Sequence, residues 1–205
     1  MRARAIRRDG LVDELFARIV DRPGRLRVLL DGAPPTAPET LAAELAERLR
    51  ATGRPALSVS SADFLRPASV RLEHGRTDPD ELLDGWLDVG GLTREVLDPA
   101  GPDGSGRVLP RLWDAERDRA YRAERVGLAD NAVLLVSGAL LLGRRLPAEL
   151  TVHLRMSAAA LSRRTDPERR WTLPAYARYD AEHDPGGADV LVLADDPDRP
   201  ALVQA

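Results

Sequence analysis

The chain has 205 residues, a formal net charge of −3, and 43% hydrophobic against 31% charged residues. That length suits one domain with a full core, and the composition reads as soluble and globular rather than disordered. The absence of cysteine excludes disulfides, a thiolate nucleophile and a Cys-based metal site, so the expected compartment is cytoplasmic.

The negative balance argues against a broad nucleic-acid surface. The longest apolar run, AVLLVSGALLLG at 132–143, is too short to cross a membrane as a helix, and the basic start MRARAIRRDG lacks the apolar stretch of a secretory signal. All thirty basic residues are arginine. The abundance of Arg, Ala, Asp, Gly and Pro is what a G+C-rich genome produces. Codon bias therefore explains missing surface lysines well, and a missing catalytic lysine poorly.

In chain order, residues 1–24 read as an N-terminal helical segment, with Leu11, Leu15, Ile19 and Val20 on one side of a helix over 11–21. LRVLLDG gives a strand at 26–31, and 37–51 give an amphipathic helix with Leu41, Ala42, Leu45 and Leu49 on its inner face. ALSVSS (56–61) is the next strand, followed by a loop, ADFLRP (62–67). Pro79-Asp80-Glu81 opens a helix running to about Leu97 with a break at Gly90-Gly91. A turn-rich connector follows at 98–106, then a candidate strand at 107–114. Strands are expected at 132–136, 150–156 and 188–196, helices over 157–164 and, interrupted at Pro174, over 167–183, and a loop at the tail. Buried strands alternating with helices define an α/β fold with a mainly parallel sheet in a single domain, 1–205, in which 157–187 form a lid-like helical region.

The order LRVLLDG–loop–TLAAELAERLRATGRP, strand–ADFLRP, an apolar strand ending in Ser137-Gly138, then ADVLVLADDPDRP, resembles the uridine kinase-like family of P-loop NTPases. More broadly it is similar to the nucleoside and nucleotide kinases. The likeness runs along nearly the whole chain and includes Arg66-Pro67, Pro79, Leu97-Asp98-Pro99, Asp114 and Leu173-Pro174…Tyr179. It implies a three-layer fold, with a five-stranded mainly parallel sheet and the nucleotide at the carboxyl ends of the strands.

The family's site positions are altered here. A working loop reads G-x-x-x-x-G-K-[ST], with amides and lysine on the phosphates and the hydroxyl on Mg²⁺. In this chain Gly32 remains, while Ala37 stands for the second glycine, Pro38 for the lysine and Glu39 for the hydroxyl residue; Thr40 carries a hydroxyl one place late. Ala62 takes the place of the second strand's aspartate, with Asp63 beside it, and Ser137 that of the fourth strand's acid.

Physically, Pro34, Pro35 and Pro38 each lack the N–H that a phosphate nest needs. Thr36-Ala37-Pro38-Glu39 fits a T-x-x-E capping box, with Thr36 as N-cap and Glu39 at the third helical position. The loop then satisfies its own helix start, and triphosphate binding of the usual kind is not expected.

Asp63 is the candidate catalytic base, paired with Arg66, or else a loop carboxylate. The resemblance puts Phe64, Arg66, Trp113 and Asp114 at the substrate, with Trp86 and Trp113 near a nucleoside base or in the core. It makes Arg163, Arg164, Arg169 and Arg170 lid arginines that clamp phosphates or face solvent. His74, His153 and His183 are widely separated, so no metal site is expected, and His153 reads as a satisfied, partly buried residue.

Two functions follow. One is a pseudokinase kept for ligand binding or assembly, motivated by the losses at Ala37, Pro38, Ala62 and Ser137. The other is an active ATP-dependent nucleoside kinase with relocated groups: Thr40 or Glu39 for the metal, Asp63 as base and an arginine for the lysine. Mg-ATP is a cofactor only in the second. The partners in view are a nucleoside or other small ligand, without nucleic acid or membrane, and with a homodimer left open.

Overall fold

LRVLLDG and VLLVSG are apolar almost throughout because both faces of their strands are covered. In the computed structural model, which describes residues 2–182 and 187–204, they lie side by side within a seven-stranded sheet, each with a strand on both sides. The strands of this sheet are β1 (Arg2–Ala5), β2 (Leu26–Gly32), β3 (Ala56–Ser60), β4 (Val133–Gly138), β5 (Leu150–Arg155), β6 (Val190–Leu193) and β7 (Ala201–Gln204), in the spatial order β1-β7-β6-β5-β2-β4-β3. The five from β3 to β6 in that order are parallel. β7 and β1 then add two antiparallel strands, Arg2 facing Gln204 and Ala5 facing Ala201.

The sheet thus has seven strands where five were expected. Both additions come from chain ends that sequence reasoning assigned otherwise. Residues 2–5 are a strand ahead of helix α1 (Arg8–Ile19), and the tail is a strand instead of a loop. The β1 signal is absent because RARA exposes every residue: arginines at a sheet edge give no apolar alternation, although charge is what an exposed edge tolerates.

Alternation along β2 divides the core in two. Leu26, Val28 and Leu30 join Leu11, Leu15 and Ile19 of α1 and Leu41, Leu45 and Leu49 of α2 (Pro38–Ala51) on one face. Leu29 points the other way, with Leu134, Val136, Phe64, Leu92, Val96 and Leu97. The second layer comes from short pieces: α3 (Ala68–Arg71), α4 (Pro79–Asp84), α5 (Val89–Leu92), a π-helical turn at Thr93–Leu97 and α6 (Asp98–Ala100).

The expected long helix from Pro79 therefore stops at Asp84, before the Gly90-Gly91 pair. The Asp88 carboxylate accepts from the Gly91 amide and starts α5 afresh. Residues 107–114 form two two-residue ladders, Arg107–Val108 with Val126–Gly127 and Trp113–Asp114 with Arg119–Ala120. After β5, α7 (Ala158–Arg164) is capped by Ser157, and a 3-10 segment (Pro167–Thr172) leads into α8 (Leu173–Glu182). Pro174 sits in the first turn of α8, where a missing N–H costs no helical bond. His183 lies outside the described residues.

Candidate functional site

The carboxyl ends of β2, β3 and β4 meet where the chain after Gly32 would hold a phosphate. Pro34 and Pro35 start a 3-10 turn, Pro34–Thr36, whose closing bonds run from Thr36 N to Ala33 O (2.8 Å) and from Ala37 N to Pro34 O (3.0 Å). Between residues 34 and 38 three positions have no N–H, and the two remaining amides are spent inside the turn.

Thr36 is fully buried. Its hydroxyl donates to Ala33 O at 2.8 Å and packs so closely on Gly32 that a Cβ built there would lie 2.4 Å from Oγ1. The hollow of the loop is filled by the loop's own side chain.

The capping box does not form. The N-cap of α2 is Ala37, left-handed at φ 54° and ψ 56°, and it makes no side-chain cap bond. For Thr36 to cap, Ala37 would have to be the first helical residue, and the following Pro38 disfavours right-handed α at that position. Glu39 and Thr40 are exposed in the first turn, where the Glu39 carboxylate complements the helix dipole as an anion would.

Beneath the loop lies a buried polar hub that sequence reasoning did not place. Asp31, fully buried at the end of β2, accepts from Leu141 N (2.8 Å) and Tyr179 OH (2.9 Å) and contacts His153 Nδ1 (2.6 Å). Tyr179 OH in turn accepts from Leu142 N at 2.8 Å. His153 turns its Nε2 toward Asp180 at 4.0 Å, and Arg155 Nε lies 3.7 Å from the same carboxylate. Burial raises the Asp180 carboxyl, with His153 and Arg155 opposing the shift, and burial together with Asp31 drives the Tyr179 phenol far up. His153 is thus the satisfied buried residue expected of it. The signal for the hub was an aspartate closing an otherwise apolar strand, since a carboxylate there must find donors.

Beside the loop opens a cleft of about 470 Å³, lined among others by Pro34, Glu39, Ala62, Asp63, Trp86, Asp114, Tyr121, Arg144, Arg169 and Tyr176. Its volume falls in the range of small-molecule sites. Glu39, Asp63, Asp114 and Arg169 are brought together here. Asp63 pairs with Arg111 at 3.0 Å, not with Arg66. Asp114 accepts from the Arg117 and Glu116 amides and from the Arg117 guanidinium. Led by the Arg117 amide, these bonds hold its carboxyl below the usual range.

The remaining candidates lie elsewhere. Phe64 is fully buried in the second core cluster, and Trp113 donates its indole N–H to Asp118. Arg66 is exposed, and its backbone bonds Trp86 O and the Arg71 guanidinium. Arg163 and Arg170 are exposed; Arg164 donates to Asp195 O and, with Arg169, lines a separate loop-side cavity of about 300 Å³ over Pro34 and Pro35. Ala37, Pro38 and Thr40 belong to the helix start, and Ser137 is buried at the end of β4.

Trp86 lies 5.7 Å from Trp171 of the 3-10 segment before α8, with the Arg71 guanidinium 5.2 Å from its ring. Sequence reasoning missed Tyr176, Tyr121 and Arg144 as lining residues. Burial pushes the Tyr176 phenol up to about 12, with the Asp31 charge adding. Among the described residues no three His, Asp or Glu side chains come close enough to hold a metal, and no helix is long and apolar enough to cross a membrane. A larger groove, of about 1230 Å³, lies away from this site, between the β1–α1 junction and the outer face of α2, crossed by the Arg8–Glu44 ion pair.

The parallel order β3-β4-β2-β5-β6, with a loop and helix following β2 and a cleft at the strand ends, defines a P-loop kinase-like fold. No family model matches the chain, and no curated protein does. Among solved structures it is similar to a possible uridine kinase from Bacillus stearothermophilus, with 23% identity over 88% of this chain and 96% of that one and a TM-score of 0.70. It is also similar to a candidate fructose transport system kinase from Silicibacter sp., with 28% identity over 84% of this chain and 88% of that one and a TM-score of 0.62.

Proposed function

We propose that this chain is a pseudokinase: a protein of P-loop kinase-like fold that binds a small ligand in the cleft and does not transfer phosphate. The observation that carries the reading is the state of the loop. Residues 34–38 offer no free amide, and the side chain of Thr36 occupies the hollow. With no lysine anywhere in the chain, the lysine charge and the inward amides of residues 34–38 are both gone from the loop. The cleft, by contrast, keeps carboxylates, aromatic rings and arginines around a ligand-sized volume. A polyol or nucleoside fits that lining, since its hydroxyls can donate to Glu39 and Asp63 while its apolar face lies against Trp86 or Tyr121. This agrees with the acceptors named for the two similar structures.

The test is a phosphoryl-transfer assay on the purified protein, with γ-labelled Mg-ATP and a panel of nucleosides and sugars. No product above the protein-free background is expected. Turnover in the ordinary kinase range, about 1–100 s⁻¹, overturns the reading.

The convergence of Glu39, Asp63 and Arg169 on one cleft supports the second reading, an active kinase with Glu39 or Thr40 toward Mg²⁺ and Asp63 as base. It predicts that Asp63→Asn abolishes a measurable activity. The Arg111 pairing of Asp63 weighs against it, because one oxygen of that carboxylate is already committed to a guanidinium of the protein.

A further inference from the structure

We propose that the lid helix α8 is latched shut by the chain's own residues, with Asp31 as the catch, so that closure needs no ligand. This deepens the ligand-binding reading by naming what governs access to the site. Working lids in enzymes close on substrate and reopen to release product. Here three segments converge on one buried carboxylate: the loop after β4 through Leu141 N, β5 through His153, and α8 through Tyr179 OH.

Tyr179 donates to Asp31 and accepts from Leu142 N, and therefore ties α8 to the 139–145 loop as well as to β2. Opening the lid would strip a fully buried carboxylate of a donor and leave the Leu142 amide without its acceptor.

The loop that α8 grips is itself under backbone strain. Leu140 and Arg145 are left-handed, at φ 62° and 55°, conformations that non-glycine side chains rarely adopt. Such strain persists only where surrounding contacts impose it. Those contacts are the Leu141 and Leu142 amides in the hub and the Arg144 guanidinium, which donates to Leu140 O and to Leu83 O of α4. On the outer side, Arg178 pairs with Asp80 and Asp84 of α4. The charged and titratable groups facing the catch include His153 and Arg155 from β5, Tyr176, Tyr179 and Asp180 from α8 itself and Arg144 from the loop.

Latching has a consequence for the site. Tyr176 lies three residues before Tyr179, on the same face of α8. With Pro34 and Arg169 it lines both the loop-side cavity and the cleft, so the latch fixes the place of a side chain that the two share.

The test is hydrogen–deuterium exchange on the full chain without any ligand, in the wild type and in Tyr179→Phe, which removes one oxygen. In the wild type, amides of 173–182 and of Leu141 and Leu142 should be protected to the degree of the β2 and β5 strands. In Tyr179→Phe they should exchange about 10- to 100-fold faster, the worth of one hydrogen bond to a charged acceptor, while β2 and β5 are unchanged. Asp180→Asn, on the same helix but not bonded to Asp31, should leave Leu142 as in the wild type.

Wild-type α8 exchanging as fast as exposed loops overturns the latch, as does a Tyr179→Phe pattern identical to the wild type. Should Tyr179→Phe fail to fold, the wild-type exchange of α8 decides alone. Because the readout needs neither ligand nor turnover, failure of the latch is distinct from failure of the pseudokinase reading.

Discussion

Replacing Gly32 by alanine probes the filled loop most locally. A Cβ at that position would meet Thr36 Oγ1 at 2.4 Å, Leu154 Cβ at 2.9 Å and Leu154 O at 3.1 Å. None of these neighbours is the free end of a long side chain, and Thr36 is held by its bond to Ala33 O. Overpacking of this kind costs about 1–3 kcal/mol, so Gly32→Ala should destabilise by about 2 kcal/mol. Thr36→Ala removes one hydrogen bond and a buried methyl, at about 1.5 kcal/mol, while Ala33 O keeps its bond from the Thr36 amide. If the hydroxyl occupies the hollow over Gly32, the two costs do not add, because the alanine at 36 makes room for the methyl at 32 and leaves only the Leu154 contacts. The double variant should then lie about 1 kcal/mol above the additive sum. Urea denaturation with a common slope of about 2 kcal/mol/M reads this as a midpoint recovered by about 0.5 M. Additivity within about 0.5 kcal/mol would refute the placement of Thr36.

Three further outcomes are expected. Ala37→Gly relieves a left-handed alanine at φ 54° and, after the greater unfolded-state freedom of glycine, should stabilise by about 0.5–1 kcal/mol, seen as a higher Tm. Arg54 is buried, and its guanidinium bonds the carbonyls of Ile19, Val20, Gly24 and Asn131, closing the end of α1; Arg54→Ala should cost about 3 kcal/mol in chemical denaturation, with Arg54→Lys recovering only part. In acid, Glu95 is held below the usual carboxylate range by its bond from Arg94, against the effect of burial, with Arg125 assisting; Asp195 is held down by the Ser157 amide and hydroxyl. Groups depressed in the folded state bind fewer protons there than when unfolded. Their contribution is present above the ordinary carboxylate pKa of about 4 and is lost as pH falls below it. Arg125→Ala should therefore lower the neutral plateau of a stability–pH profile and flatten its acid limb, the variant and the wild type converging as pH falls well below about 4.

Much of this architecture was legible in the sequence, because the central strands are short apolar runs bounded by turn residues and the two long helices carry clean 3.6-residue stripes. Leu26–Gly32, Pro38–Ala51, Val133–Gly138 and Leu150–Arg155 all stand within two residues of their expected bounds. The edge strands were illegible for a physical reason: RARA pairs through its backbone alone and buries nothing. The loop was half legible. Its prolines foretold the lost donors, but T-x-x-E suggested a cap that the proline following Ala37 forbids. The hub was the least legible part, since Asp31, His153 and Tyr179 are far apart in the chain and only the crossover of β2, β5 and α8 brings them together. Asp63, Asp114 and Arg169 do share a cleft, whereas Phe64 went to the core because an apolar ring at the end of β3 has a larger area to bury than a ligand edge would offer.

The central claim, that the loop after β2 no longer holds a polyphosphate, is tested most directly by calorimetric titration of the purified chain with Mg-ATP and, separately, with inorganic tripolyphosphate. The filled loop predicts no saturable heat with either at millimolar ligand. A one-to-one isotherm with micromolar Kd that Gly32→Ala abolishes would contradict it.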